Sequence, residues 1–340
     1  MTPSAKLGGF KVLKDVVGIA TVSSLESDHF PAELCRIIAE NKINLPYITC
    51  LNDGHYWGVT LLVDAADGVK TTRLVEETDG QVFSPNAKSV VLSIFPHKKN
   101  PEITGSIFEA FGQQGIEPEA LANSPSAISV VLKEEVLNRA SEALFEPFSF
   151  SAYRTPADWK DAQKGKEKLY KEVVASYQEQ RPKVYGLEVL ENQELIRIKL
   201  NEWDMGQIGG GFREFSRLGL NLSFLATGPG QEKKNDLLAL CLPTTDLPSC
   251  TKILDRMLPK ADVTGLSPVA LFFMNGPHFG DRYGIVRDLL ASFLEASVDL
   301  LGLGCTIASI TGIVPSHQIE SAIQAIQTCF DVPSVNKKAG

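Results

Sequence analysis

The chain has 340 residues, 44% of them hydrophobic and 22% charged, the proportions of a folded globular protein of about two domains. Lys and Arg number 33 against 41 Asp and Glu, and the formal net charge of -8 argues against nucleic acid and anionic membrane as partners. No run of about 18 uncharged apolar residues marks a membrane span, and Met1 to Lys14 lacks the apolar core of a secretory signal, so a cytoplasmic protein is expected.

Taken in chain order, the apolar pattern repeats. Val16 to Val22 is rich in β-branched residues and predicts a strand. From Phe30 to about Asn41, Leu34, Ile37 and Ile38 fall on one stripe of a helix. Ile43-Asn44-Leu45 is expected to open the next strand, and Asp53-Gly54 to turn into a third at Trp57 to Val63. A second copy begins with Ser89-Val90-Val91-Leu92 and a helix carrying Ile103, Ile107, Phe108 and Phe111. Gly115-Ile116-Glu117 opens its second strand, and Ala127 to Leu132 is its third. The third copy has Glu194 to Leu200, a helix with Ile208, Phe212 and Phe215, then Gly219-Leu220-Asn221-Leu222. The fourth has Val269 to Met274, a helix with Ile285, Leu289, Leu290 and Phe293, then Val298-Asp299-Leu300. Such self-similarity sets the fold.

A spacer, Ser151 to Pro182, separates the second and third copies. Thr155-Pro156-Ala157-Asp158 is a capping-box-like helix start, and Leu169, Val173 and Tyr177 share one face of the helix that follows. This helix is expected to lie on a flanking domain, with a partner-binding helix as the other reading. Each copy is predicted to be a βαββαβ unit. That unit is an α+β, ferredoxin-like sandwich with two helices over one face of a four-stranded antiparallel sheet. One unit of about 65 residues buries a marginal core, so the four tandem copies are expected as two pairs, one on each side of the spacer. The expected boundaries are 14–84, 87–150, a helical linker 151–183, 184–265 and 266–335.

Cys35, Cys50, Cys241, Cys250, Cys305 and Cys329 form no C-x-x-C pair, and most stand among apolar residues, so they are expected in the core as free thiols. The histidines, His29, His55, His97, His278 and His317, lack metal-ligand spacing. Neither a G-x-S-x-G elbow nor a phosphate loop is present. No metal, cofactor or catalytic residue is therefore expected.

The second copy reads Asn123-Ser124-Pro125-Ser126-Ala127-Ile128-Ser129-Val130-Val131-Leu132, followed by Glu134-Glu135 and Ala140-Ser141-Glu142-Ala143-Leu144. This resembles an ACT domain, and specifically the regulatory ACT region at the C-terminus of aspartokinases. Gly219-Leu220-Asn221-Leu222 resembles the family's glycine, apolar, asparagine start to its second strand; the corresponding residues are Lys42 and Asn44, Ser297 and Asp299, and Glu117. No segment resembles the aspartokinase catalytic domain, and the chain is expected not to be an enzyme. The resemblance implies a free amino acid bound between units, in the loop from first strand to first helix and the second-strand start of a neighbour. A helix start with unpaired N–H groups suits its α-carboxylate.

Two loops stand out. Asp204-Met205-Gly206-Gln207 precedes Gly209, Gly210 and Gly211, where glycines either let a carboxylate approach the backbone or let the helix pack closely on a neighbour. In the fourth copy, Asn275, Gly276, Gly280, Asp281 and Arg282 converge on a helix start; Arg282 either grips a carboxylate or pairs with Asp281. Asn221 and Asp299 complete the candidate set. The first two loops read as ordinary caps, with His97-Lys98-Lys99 a solvated basic run and His278 a loop hydrogen-bonder. Any ligand is thus placed with the third and fourth copies. The leading expectation is an allosteric sensor of a free amino acid, acting as a homodimer or other homo-oligomer or through a partner enzyme. The alternatives are an ACT-fold interaction module without ligand and an aspartokinase-related activity.

Overall fold

Strands that are apolar on both faces need cover on both faces. On the strand Tyr56–Asp64, Trp57, Val59, Leu61 and Val63 alternate with Leu62 toward opposite sides, and all are buried. The strand Asp236–Pro243 likewise sends Leu238, Leu240 and Leu242 one way and Leu237, Ala239 and Cys241 the other. Both patterns are answered by helices outside and other strands inside.

The computed structural model describes residues 5–24, 29–78, 80–83, 87–163, 181–200, 202–231, 236–277, 279–280 and 282–338. The chain begins with β1 (Ala5–Leu7), β2 (Gly9–Ser24), α1 (Phe30–Glu40), β3 (Tyr47–Asn52), β4 (Tyr56–Asp64), α2 (Gly68–Glu77) and β5 (Gln81–Val82). Next come β6 (Ala87–Phe95), α3 (Pro101–Gln113), β7 (Ala120–Asn123), β8 (Ile128–Lys133), α4 (Leu137–Ala143) and β9 (Phe148–Phe150), then α5 (Pro156–Gln163). The third stretch is β10 (Leu187–Leu200), α6 (Met205–Arg217), β11 (Phe224–Pro229), β12 (Asp236–Pro243) and α7 (Leu247–Met257). The last is β13 (Asp262–Asn275), α8 (Ile285–Glu295), β14 (Gly302–Thr306), β15 (Ser309–Pro315), α9 (Ile319–Cys329) and β16 (Val335–Lys338). The order strand, helix, two strands, helix therefore recurs along the chain.

β1 pairs separately with β9, while twelve strands form one path in the order β12-β11-β7-β8-β6-β2-β4-β3-β14-β15-β13-β10, and β12 also pairs with β10, so the path closes on itself. Two long strands carry it from one half to the other. β2 pairs through Gly9–Leu13 with β6 and through Val16–Ser24 with β4. β10 pairs along most of its length with β13, through Leu187–Leu190 with β16, and through Gln193–Leu200 with β12. Inside the closed path lies a cluster drawn from strands alone, including Tyr47, Leu62, Phe224 and Leu271. α3, α4, α6 and α7 cover one outer face, and α1, α2, α8 and α9 the other. A mixed α/β fold results, with helices on both sides of a large sheet.

The third and fourth stretches adjoin edge to edge, β10 beside β13, but their first helices do not share a layer. α6 packs on α3, whereas α8 packs on α1, so α6 and α8 lie in different helix layers. The sheet closes so that each stretch has two neighbours: β10 meets β13 and β2 meets β6, while β11 meets β7 and β3 meets β14, and the helix layers follow the second set.

At the α3–α6 crossing the backbones nearly touch. A Cβ on Gly105 would lie 2.7 Å from the Gly209 carbonyl oxygen, and one on Gly209 would lie 2.9 Å from that of Gly105. Arg213 ties the same crossing to Glu109 at 2.7 Å and Glu102 at 3.3 Å. The close-packing reading of these glycines is the one seen. In the spacer, Thr155 and Asp158 bond reciprocally as a capping box, Trp159 packs on Phe10 with ring centres 5.0 Å apart, and Leu169, Val173 and Tyr177 lie outside the described residues. All six cysteines are free, five of them buried, and burial raises their thiol pKa values, to about 12 for Cys35, Cys250 and Cys305. No helix among the described residues is long and apolar enough to cross a membrane.

The crossing makes a clear forecast. Gly209→Ala sets a methyl against backbone and is expected to lower stability by about 1–3 kcal/mol. Gly210→Ala meets only the flexible end of Met257, at 3.2 Å, and gains up to about 1 kcal/mol of helix propensity. Denaturant unfolding of the two variants should give opposite signs.

Candidate ligand cleft

The ends of four helices are built alike. After α3, Gly115 takes a positive φ of 58°, its N–H bonds Gly112 O, and Ile116 N–H bonds Phe111 O. This is a Schellman stop: a left-handed residue followed by an apolar one that folds back on the helix. Gly219 and Leu220 repeat it after α6, Lys42 and Ile43 after α1, and Ser297 and Val298 after α8. The triplets expected to open second strands therefore end first helices instead, and β3, β7, β11 and β14 start three to five residues later. The glycine, apolar, polar pattern is thus a helix stop, and its third member is the residue presented beyond it.

What that third member meets differs between the two helix layers. Beyond α3, Gly115, Ile116 and Glu117 face Glu202, Trp203, Asp204, Met205 and Gly206 across an open cleft of about 620 Å³, floored by Glu109, Gly112 and Gln113. Gly112 has no side chain to fill it; a Cβ there would lie 3.0 Å from that of Met205. Asp204 caps α6 by accepting from Gln207 N–H at 2.9 Å. Trp203 packs tilted against Phe108 with centres 6.1 Å apart and donates its indole N–H to Asp236. Burial raises the Asp236 carboxyl pKa, the bond from Trp203 lowers it, and the charge of Glu117 raises it further. Glu109 is paired with Arg213, whereas Glu117 and Glu202 are exposed, so among the described residues the cleft is lined by carboxylates and by no Lys or Arg.

In the other layer the corresponding space is filled. Asn44 donates to the Gly280 carbonyl, Phe279 is buried against Phe330, and Ile43, Leu45, Arg282 and Gly284 surround a remnant of about 10 Å³. A Cβ on Gly280 would lie 2.8 Å from Ile307, and one on Gly276 2.5 Å from the Phe279 ring, so these glycines serve packing. Asn275 is part of β13 opposite Ser309, and its carbonyl accepts from Tyr185 N–H. Asp299 is bound to Gln318 through both its N–H and its carboxylate. Asn221 is exposed and reaches back to Gly219 O at 3.5 Å. Asp281 and His278 lie outside the described residues.

Of the expected set, Asp204, Met205 and Gly206 line the open cleft, while Gln207 is exposed beside it and gives its N–H to the cap. Their partners come from the second stretch, not the fourth. Glu117, Glu202 and Trp203 were outside that set. Glu117 could have been found because it stands where Asn44, Asn221 and Asp299 stand; Trp203 carried no local signal. Among the described residues no group of three or more His, Cys, Asp or Glu could hold a metal.

The loop before α3 also departs from expectation. His97 is fully buried and bonds Thr104 through Nε2 at 2.9 Å, while Lys99 is half-buried over the Phe273 ring at 4.2 Å and lies 3.6 Å from Glu188. Only Lys98 is exposed; the run is not solvated, because it packs against β10 and β13. Burial lowers the His97 pKa to about 4.

No family model and no curated protein matches the chain. Among solved structures, it is similar to an aspartate kinase from Synechocystis, with a TM-score of 0.78 and 15% identity over 95% of this chain and 56% of that one. The chain thus spans just over half the length of that kinase, and the likeness establishes the fold. The regulatory subunits of aspartate kinase from Thermus thermophilus and Thermus flavus align with 44% of this chain and 99% of theirs, at 13% and 14% identity and TM-scores of 0.39 and 0.40. The first match overturns the expectation that the chain is not an enzyme: 95% of it follows the fold of part of one.

One consequence concerns pH. The unfolded chain takes up a proton at residue 97 near pH 6.5, and the folded protein only near 4, so stability present above pH 6.5 is lost as pH falls through this window. The loss is roughly 3 kcal/mol. Unfolding free energies at pH 7 and 4.5 should fall further for the wild type than for His97→Gln; equal falls would contradict it.

Proposed function

We propose that the chain is an amino-acid-sensing regulatory unit of the aspartate-kinase type. In this reading it has four ACT-like units, residues 14–84, 87–150, 184–265 and 266–335, with 151–183 as a helical linker. A free amino acid binds between the second and third. The supporting observation is the contrast between seams: the α3–α6 seam opens a cleft of about 620 Å³, while the α1–α8 seam closes to about 10 Å³. An interaction module that had lost its ligand would be expected to fill both.

The chemistry of the cleft suits a zwitterion. α6 begins at Met205, so its first turn offers backbone N–H groups and a positive dipole end for an α-carboxylate. Glu117 and Glu202 are placed for positive charge, and with carboxylates as the charged groups among the described lining residues the cleft favours an amino acid with a cationic side chain over an acidic one. The other end of the ligand meets Ile116 and Trp203. Occupancy then changes how the two helix ends sit against each other, and this controls an aspartate-kinase-type activity, in an assembly of copies or with a partner enzyme. Coupling of about 1–3 kcal/mol suffices for such control.

A thermal-shift screen of the full chain against the common L-amino acids tests this. A basic amino acid at a hundredfold excess over its Kd is expected to stabilise the fold by about 2.7 kcal/mol. Glu117→Gln should weaken that ligand by about tenfold, since it removes one charge-assisted contact. No shift with any amino acid would sink the proposal.

A further inference from the structure

We infer that Asp236, which does not line the cleft, is a positioning residue that holds the Trp203 ring as the wall of the ligand site. This rests on the reading of the cleft as an amino-acid site. Trp203 is half-buried and stands on a turn between β10 and α6, with Glu202 on one side and the Asp204 cap on the other. A tryptophan there has two anchors. Its face lies against Phe108 of α3, and its one polar atom, Nε1, gives its hydrogen to Asp236 Oδ2 at 2.5 Å. Indole is a donor only, so without an acceptor at this position the ring has no polar tie. Asp236 in turn is fixed by the sheet, as the first residue of β12, paired with Leu200 on β10 and Pro229 on β11. A carboxylate acceptor makes this bond stronger than an amide would. The line Phe108–Trp203–Asp236 thus runs from the helix of one stretch, through the cleft wall, to the strands of the next. Glu117 lines the same cleft as Trp203 on the side of α3.

The test has a ligand-free arm and a ligand arm, both on the full chain. Trp57 and Trp159 are buried at 4% and 3% exposure, so acrylamide quenching of tryptophan fluorescence reports mainly Trp203. Asp236→Ala should raise the quenching slope about twofold and Asp236→Asn, which keeps a neutral acceptor, by less. An unchanged slope in Asp236→Ala overturns the inference whatever the ligand result. In the second arm, L-lysine is titrated by calorimetry into wild type, Asp236→Ala, Trp203→Phe and the double variant. Asp236→Ala is expected to weaken lysine about tenfold in the wild-type background and hardly at all beside Trp203→Phe, because it acts through that ring. Multiplying losses would show a role independent of Trp203 and overturn it. If neither lysine nor any other amino acid binds the wild type, the proposed function falls, and the quenching arm alone decides whether Asp236 positions the ring. Unfolding midpoints of all variants identify any that fail to fold; Asp236→Asn then carries the comparison.

Discussion

Everything in this molecule follows from a sheet that closes on itself and is apolar on both faces. Its inner face is filled by strand side chains from all parts of the chain, and its outer face must be covered by helices. Backbone donors in such a sheet are used up by neighbours on both sides, and no long central strand offers a free edge. Several polar side chains that enter the interior are bound across it: Thr49 donates to Thr227 O, Thr227 Oγ1 accepts from Leu121 N–H, and Asn123 accepts from Leu225 N–H. Chemistry is thereby confined to the rims, where strands turn into helices.

The two helix seams share a plan and differ in bulk. At one, Gly105, Gly112 and Gly209 let α3 and α6 approach closely, and the missing side chains of Gly112 and Gly206 leave room at the end of the crossing. At the other, Phe279, Ile43 and Leu45 occupy the equivalent region. A close helix crossing and an open helix end are therefore two results of one choice of small residues. That choice costs helix propensity, about 1 kcal/mol per glycine, and is offset by the contacts that the crossing allows.

Much of the fold could be read from the residues. Periodicity placed α1 almost to the residue and put the named apolar residues of α3, α6 and α8 within those helices, and runs such as Trp57 to Val63 and Val269 to Met274 lie within their strands. Where the reading failed, a local rule was mistaken for another. Gly115-Ile116-Glu117 looks like a strand start, because a left-handed residue followed by an apolar one suits a turn into either element. The choice of neighbour was out of reach altogether, since β7–β11 and β3–β14 pairing joins residues about 100 and 250 positions apart and leaves no mark on the residues between. Hence Asp204, Met205 and Gly206 were found as a candidate site, but Glu117, which faces them, was not. In the fourth stretch the same reasoning met glycines needed for packing against Phe279 and Ile307, which look no different on paper from glycines that make room.

β2 and β10 each belong to both halves of the sheet, with no break in the chain between the two sets of partners. Both strands are bulged midway, at Leu13–Val16 and at Leu190–Leu195, and run on beyond the bulge as the same strand. The open seam and the filled one are therefore built on shared members, since β10 runs between β12 beneath α6 and β13 beneath α8.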